Sequence, residues 1–384
     1  MAVSDRKHWK HLYEEIVATE VCCGCMACVV ACPHKVLEFQ DFDPIQTDAN
    51  SPFDNCIHGE EGCSLCAMAC LRLEPSLDVI EPLVFGERRR EEKVEGEYLY
   101  KTLARAIDPA LVDRGQDGGV VTALLAWGLR TGELDGAAVA APSEDVAWLD
   151  EPRVVQTEEE LFAAAGSRYT YCSTPLALKK AAALKLKNIA LVGVSCESTA
   201  VRQLAAEGIK RWVRPLKLVI GLMCTETFDY EAFMIGKVQQ ELGIDLATVK
   251  KVNVKGKVIV TLEDGTDIDI PLKDARPFAN EWCHHCPDFA AEHADLSAGG
   301  LGMEGWTMIL VRSPHGKDFF ERAVGAGVLE LRDAQEEPAA LEVLDRLARK
   351  QRERINPFDP HASARWPTRE ALAAARSEAT EEVG

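Results

Sequence analysis

Between residues 98 and 335 the apolar positions switch repeatedly between two periods. Runs with apolar residues three and four apart, at 119–131, 158–165, 175–186, 197–207, 229–242 and 315–325, predict helices. Short runs rich in Val, Ile and Leu, at 136–141, 189–194, 216–223, 249–254, 257–262, 267–271 and 306–312, predict strands. Such alternation predicts an α/β domain on a mixed sheet. Within it "LEDGTD" sets Asp-Gly between two alternating runs, the mark of a tight hairpin. Upstream, Trp9, Leu12, Tyr13, Ile16 and Val17 recur at helical spacing and predict a packing helix over 5–17. The charged "GERRREEKVEGE" makes 83–97 a solvated linker. From 337 the chain is rich in Ala, Leu, Arg and Glu and reads as a helix that frays after about 375. The expected division is 1–82, a linker at 83–97, an α/β domain at 98–335 and a helical tail at 336–384.

Composition narrows the classes. The 384 residues are 47% hydrophobic and 27% charged, enough for two or three globular domains. A net charge of −19 argues against nucleic acid or an anionic membrane face as partner. The start, "MAVSDRKHWKHLYEE", has no apolar signal core, and the longest apolar candidate, "GGVVTALLAWGL", is too short to span a bilayer. A cytoplasmic protein not integral to the membrane is expected. Its 14 cysteines, in a reducing compartment, point to metal or redox chemistry rather than disulfides.

Eight of those cysteines lie in residues 22–70. Cys22, Cys25, Cys28 and Cys32, followed by Pro33, spell C-x2-C-x2-C-x3-C-P; Cys56, Cys63, Cys66 and Cys70 spell C-x6-C-x2-C-x3-C. The first run is the bacterial ferredoxin signature, in which three close thiolates wrap one iron–sulfur cube and the fourth turns to another. Crossed ligation assigns Cys22, Cys25, Cys28 and Cys70 to one 4Fe–4S cluster and Cys32, Cys56, Cys63 and Cys66 to a second, leaving Cys23 over. Structural zinc, the alternative for C-x2-C pairs, does not account for three cysteines two apart followed by a fourth and a proline. The second run departs from the signature in carrying "IHGEEG" before Cys63 and no proline after Cys70.

Four more cysteines sit at suggestive places. Cys196 and Cys224 follow predicted strands in "IALVGVSCES" and "LVIGLMCTET", and Cys283 and Cys286 form a C-x2-C pair in "WCHHCPDF". Strand ends of an α/β sheet converge on the edge where ligands sit, so these make a four-thiolate set; taken singly, Cys196 or Cys224 suits a buried core thiol as well. Cys172 reads as a packed thiol. Two segments suit a phosphate-bearing cofactor. Gln116, Asp117, Gly118, Gly119 and Val120 open an apolar helix, whose N-terminus offers N–H groups and a positive end; close packing at a helix start explains the glycines equally well. Gly166, Ser167, Arg168, Tyr169 and Thr170 combine a turn with a cation and a ring, or form an ordinary loop.

Taken in order, "QDGGVVTALLAWGLRTGELDGAAV", "AAGSRYT", "VGVSCES", "LMCTETFDYE" and "CHHCPDFAAEHADLSAGGLGMEGWT" resemble the family of coenzyme F420 hydrogenase/dehydrogenase beta subunits, over about two thirds of the chain. That family includes the F420-reducing hydrogenase beta subunit, the F420H2 dehydrogenase input subunit and the formate dehydrogenase beta subunit. "VGVSCES" lacks the more usual proline before its cysteine, and the N-terminal two-cluster domain is similar to that of the F420H2 dehydrogenase subunit. The resemblance implies FAD, a third 4Fe–4S cluster on Cys196, Cys224, Cys283 and Cys286, and a site where the deazaflavin coenzyme F420 meets the flavin. It also implies a partner redox subunit: a hydrogenase, a formate dehydrogenase, a quinone-reducing complex or another reductase.

The expected protein is therefore α/β, a mixed-sheet flavin-binding domain preceded by a bacterial-ferredoxin-like domain with two 4Fe–4S clusters. It would exchange a hydride between FAD and coenzyme F420 and pass electrons through three 4Fe–4S clusters to or from its partner. No catalytic side chain is nominated, since the cofactor carries the chemistry. Residues 168–217 hold ten basic side chains against Glu197 and Glu207; among them Lys179, Lys180, Lys185 and Lys187 are expected to attract the anionic coenzyme. The alternatives are a ferredoxin-dependent tetrapyrrole reductase, which the same fold resembles, and a pure electron relay without free substrate.

Overall fold

A computed structural model describes residues 6–90 and 92–354. Among the described residues thirteen strands are arranged in three sheets. A hairpin of β1 (Leu37–Gln40) and β2 (Asp43–Gln46) belongs to the N-terminal cysteine domain. The central sheet has eight strands in the order β13-β3-β12-β11-β7-β6-β4-β5, comprising β3 (Tyr100–Ala106), β4 (Gly136–Pro142), β5 (Asp150–Val155), β6 (Ile189–Val194), β7 (Leu216–Leu222), β11 (Leu296–Gly299), β12 (Thr307–Val311) and β13 (Leu329–Asp333). Its middle, β4-β6-β7-β11, is parallel, and both flanks are antiparallel, so the sheet is mixed as expected. A separate antiparallel sheet holds β8 (Val249–Val254), β9 (Lys257–Leu262) and β10 (Asp267–Pro271), and "LEDGTD" forms its β9–β10 turn.

Both faces of the central sheet are covered, as buried parallel strands require. On one face the helices Val120–Thr131 and Pro314–Gly325 bury Leu124, Phe319 and Phe320 against Val139 and Ile309. On the other, Ala177–Ala183 and Ser195–Ala206 pack on Leu191 and Val219, and Val30, Leu71 and Ile80 of the N-terminal domain enter the same cluster. The two domains thus share a hydrophobic core. The helix Pro338–Arg352 buries Leu344 and Ala348 with Leu103 and Met308, which makes it part of the α/β domain; the expected continuation of that tail lies outside the described residues.

Two expectations change. The segment 83–97 is not a solvated linker: the helix Leu77–Phe85 runs into it, and the buried Arg312 donates to the carbonyls of Glu97 (2.7 Å) and Glu95 (2.9 Å). Seven charged residues in a row, 87–93, stand just before a backbone held by one interior guanidinium. Strands β3, β5, β11 and β13 have no counterpart among the predicted elements. β5, "DEPRVV", carries charges and Pro152 because it is an edge strand, where a missing N–H is tolerated. β11 has only four residues, too few to show a period.

Candidate metal and cofactor site

In the N-terminal domain two residues at positive φ, Gly24 (63°) and Met26 (55°), curl the chain around Cys25 into the short helix Ala27–Ala31, which carries Cys28; Cys25 and Cys28 are buried and Cys22 half-buried. Cys28 neighbours Cys70 and Cys66, and Cys22 neighbours Cys28. Cys32, Cys56, Cys63 and Cys66 line one space, walled by Trp9, Pro33 and the stacked rings of His34 and His58, 3.7 Å apart. The fourth cysteine of each run is thus turned toward the other run. Burial pushes the thiols of Cys22, Cys28 and Cys66 well up and that of Cys70 to about 12, while hydrogen bonding to Cys23, with burial, raises Cys25.

The strand-end cysteines also meet. β6 ends at Val194 and β7 at Leu222, neighbouring parallel strands, so Cys196 and Cys224 emerge on the same edge of the sheet. The turn Glu281–His285 brings Cys283 and Cys286 to them, and all four line one space. Thr227 donates its N–H to the Cys283 sulfur at 3.5 Å, and Asn280 anchors the turn on the Thr227 carbonyl (3.1 Å) and hydroxyl (2.9 Å). Hydrogen bonding to Cys23, with burial, holds Cys196 well above the ordinary thiol range; burial does the same for Cys224 and pushes Cys286 up to about 12. A buried thiol set of this kind gives up its protons only to a cation. Among the described residues no three His, Cys, Asp or Glu side chains stand close enough to hold a single metal ion; a four-iron cube, bound at its separate corners, needs its thiolates further apart.

Three neighbours of that space were not visible in the sequence. Cys23, left over by the spacing argument, lines it and lies within hydrogen-bonding reach of Cys196 and Cys25. Arg72 enters from the N-terminal domain, and Gln351 from the C-terminal helix. Cys172 stays outside, half-buried, beside Glu197 and Asp150.

The two glycine segments lie side by side. Gly166, at φ +108°, has the Arg114 carbonyl oxygen 3.6 Å from where a Cβ would stand. The half-buried Tyr169 phenol bonds to the backbone of Val254 and lies in the field of both Asp117 and Cys224, and burial pushes it up to about 12. The Tyr169 carbonyl accepts the Phe228 N–H at 2.7 Å, next to Thr227, which touches the Cys283 sulfur, so this segment adjoins the thiol set. Gln116 donates to the side chain of Asn253. Gly118 accepts the Ala106 N–H (2.8 Å) and donates to the Thr307 hydroxyl (3.1 Å), and a Cβ there would stand 2.8 Å from the Ala104 oxygen. Gly119, at φ +66°, abuts the Leu111 carbonyl. Gly118 and Gly119 therefore serve close backbone packing, and Val120 is buried. Arg168 contacts Asp150 at 3.2 Å and lies over the Trp148 ring, Ser167 is half-buried, and Thr170 bridges to Phe228. Sequence reasoning passed over the loop after β11, where Gly300 lies directly against the Asp117 carboxylate and Met303 accepts from Lys255. Four glycines within 299–305 were the available signal.

The four lysines are not brought together with these groups. Lys179 faces the N-terminal domain, near Cys32, Cys28 and Glu38, and Lys180 is exposed. Lys185 and Lys187 precede β6, with the Lys187 N–H on the Asp135 carboxylate, while Cys196 follows it. The strand between them is about 20 Å long at ~3.3 Å per residue. Other members of the basic stretch are spent on ion pairs, Arg202 with Asp295 and Lys217 with Glu133, both at 2.9 Å. The cations beside Asp117 are instead Lys255, 3.6 Å away, and Lys251.

The same segments match known proteins. The family model for the N-terminal region of coenzyme F420 hydrogenase/dehydrogenase beta subunits matches residues 102–179, and that for their C terminus matches residues 186–337. The coenzyme F420 hydrogenase subunit beta of Methanothermobacter thermautotrophicus is 33% identical over 68% of this chain and 94% of its own length. An F(420)H(2) dehydrogenase subunit of Methanosarcina mazei is 28% identical over 80% of this chain and 83% of its own. A chain of the F420-reducing NiFe hydrogenase complex from Methanosarcina barkeri superposes with a TM-score of 0.63 at 30% identity, covering 71% of this chain and 97% of that one. With its mixed sheet and both matched regions in order, the chain belongs to the family of coenzyme F420 hydrogenase/dehydrogenase beta subunits.

Proposed function

We propose that this chain is the flavin and iron–sulfur electron-transfer subunit of an F420-dependent oxidoreductase, linking coenzyme F420 to a partner redox subunit. The observation that carries this reading is the pairing of the 166–170 segment with the chain beside the thiol set: the Phe228 N–H donates to the Tyr169 carbonyl at 2.7 Å, and the neighbouring Thr227 donates to the Cys283 sulfur at 3.5 Å. FAD when bound would supply the exchange of a hydride with the deazaflavin and its division into single electrons, which 4Fe–4S clusters accept one at a time. Asp117, Gly166, Arg168 and Tyr169, with the loop 299–305, are the residues that would hold it. Two further clusters would be held by the crossed sets Cys22, Cys25, Cys28, Cys70 and Cys32, Cys56, Cys63, Cys66.

The chain's own part is to order and dry this path. Tyr171, buried, places its hydroxyl 3.8 Å from the Cys196 sulfur and its ring against Trp282, closing the seam between the domains. Lys251 and Lys255 supply positive charge at the Asp117 end, replacing Lys179, Lys180, Lys185 and Lys187 as the attraction for an anionic coenzyme. No helix among the described residues is long and apolar enough to cross a membrane. A tetrapyrrole reductase is not favoured, since the relatives named above carry F420 in their names.

The test is loss of F420 absorbance on mixing the anaerobically purified chain with F420 and reduced viologen. Turnover is expected. No turnover by protein with its full flavin and iron overturns the reading and leaves a relay without free substrate.

A further inference from the structure

Arg72 follows Cys70 by two residues and is only 2% exposed. It leaves the N-terminal domain and enters the thiol-lined space of the α/β domain. There Nη1 donates to the carbonyl of His285 (2.9 Å) and Nη2 to that of Trp282 (3.2 Å). These two carbonyls bracket the turn that carries Cys283 and Cys286. Burial works against the guanidinium's charge, and the thiols of Cys23, Cys286 and Cys196 work for it.

A buried cation costs several kcal/mol unless an anion compensates it. The two carbonyls accept from its Nη atoms without neutralising it, whereas thiolates around a metal cluster carry net negative charge. Guanidinium also cannot escape by losing its proton, as a lysine ammonium does. The planar fork matches two carbonyls on one turn, a geometry a single ammonium cannot reproduce.

We propose that Arg72 is a positioning residue lent by the N-terminal domain to the thiol set of the α/β domain: its fork holds the C-x2-C turn, and its fixed charge favours the more negative, reduced state of the cluster bound there. This rests on the reading of Cys196, Cys224, Cys283 and Cys286 as cluster ligands. Reduction adds one electron, with no bond made or broken and no proton moved; Arg72 offsets the added charge through space, as net charge and hydrogen bonding near a cluster set its potential.

The experiment compares full-length wild type, Arg72→Met and Arg72→Lys, purified anaerobically, by iron content, redox titration followed by electron paramagnetic resonance, and hydrogen exchange of the peptide covering 281–287. Arg72→Met is expected to keep its iron, to shift one reduced signal to a more negative potential, and to exchange the turn at least tenfold faster. Arg72→Lys should keep the potential nearer wild type while sharing the faster exchange. Unchanged potentials and exchange in Arg72→Met at full iron overturn the proposal. Should Arg72→Met lose iron, Arg72→Lys decides: faster exchange with the signal retained supports the proposal, and wild-type exchange and potential overturn it. Wild-type chain devoid of iron would sink the ligand reading itself, while the exchange comparison would still judge the positioning of the turn.

Discussion

Gln203, on the helix Ser195–Ala206 of the α/β domain, donates its amide to the carbonyl of Met68 at 2.8 Å, inside the second cysteine run of the N-terminal domain. The same side chain donates to the Glu74 carbonyl (3.0 Å) and accepts the N–H of Ser76 (2.9 Å). One fully buried amide therefore fastens the loop that follows Cys70.

Gln203→Leu would leave those three backbone groups without their partner, at about 1–3 kcal/mol for each one that stays buried and unsatisfied. The expected outcome is a lower unfolding temperature and faster proteolysis within 69–77. Protection equal to wild type would show that the two domains dock without this contact.

Iron content tests the cysteine assignment by set. The wild type should hold about twelve irons, four per cube. Cys66→Ser and Cys224→Ser should each disturb a different centre in the electron paramagnetic resonance spectrum of reduced protein, because they line separate spaces. If both variants disturb the same signal, the division into sets is wrong.

Asp150 carries a pH dependence. Burial pushes its carboxyl up to about 6, against the pull of Arg168. Its folded value lies above its unfolded one, so the group's contribution is fully present below about pH 4 and is lost as pH rises through about 6. Wild type should therefore gain stability over Asp150→Asn as pH falls from 7 to 5, by about 1.3 kcal/mol over that interval. Chemical denaturation at several pH values checks it; a pH-independent difference between the two proteins speaks against it.

Charge reversal distinguishes two basic regions. Lys251→Glu with Lys255→Glu is expected to raise the apparent KM for F420 tenfold or more, with wild-type KM itself rising with ionic strength. Lys187→Glu, at the other end of the parallel strands, should change it less than twofold. Equal effects from both would remove the small three-stranded sheet from the docking site.

Local chemistry was legible in the chain. Ligand runs are read within a few residues because a cube is wrapped by one loop, so the crossed arrangement of Cys28 toward Cys70 and of Cys32 toward Cys66 follows from spacing. The helix and strand periods of the α/β domain were equally readable wherever an element has one clear apolar face. Edge strands such as β5 and the four-residue β11 have no such face, and they were missed.

What the sequence determined by itself was the inventory: the kind of fold, the cysteine runs, the strand ends where thiols would surface. The tertiary structure alone decided which distant side chains share a space. Arg72 meets the Trp282 and His285 carbonyls across 210 and 213 residues, and Gln203 meets Met68 across 135. Lys187 and Cys196 are near in sequence yet sit at opposite ends of β6, whereas Lys255 comes to Asp117 from a separate sheet. Spacing along a chain constrains groups joined by one turn or strand; contacts between elements depend on how whole faces pack, and no local pattern carries that information.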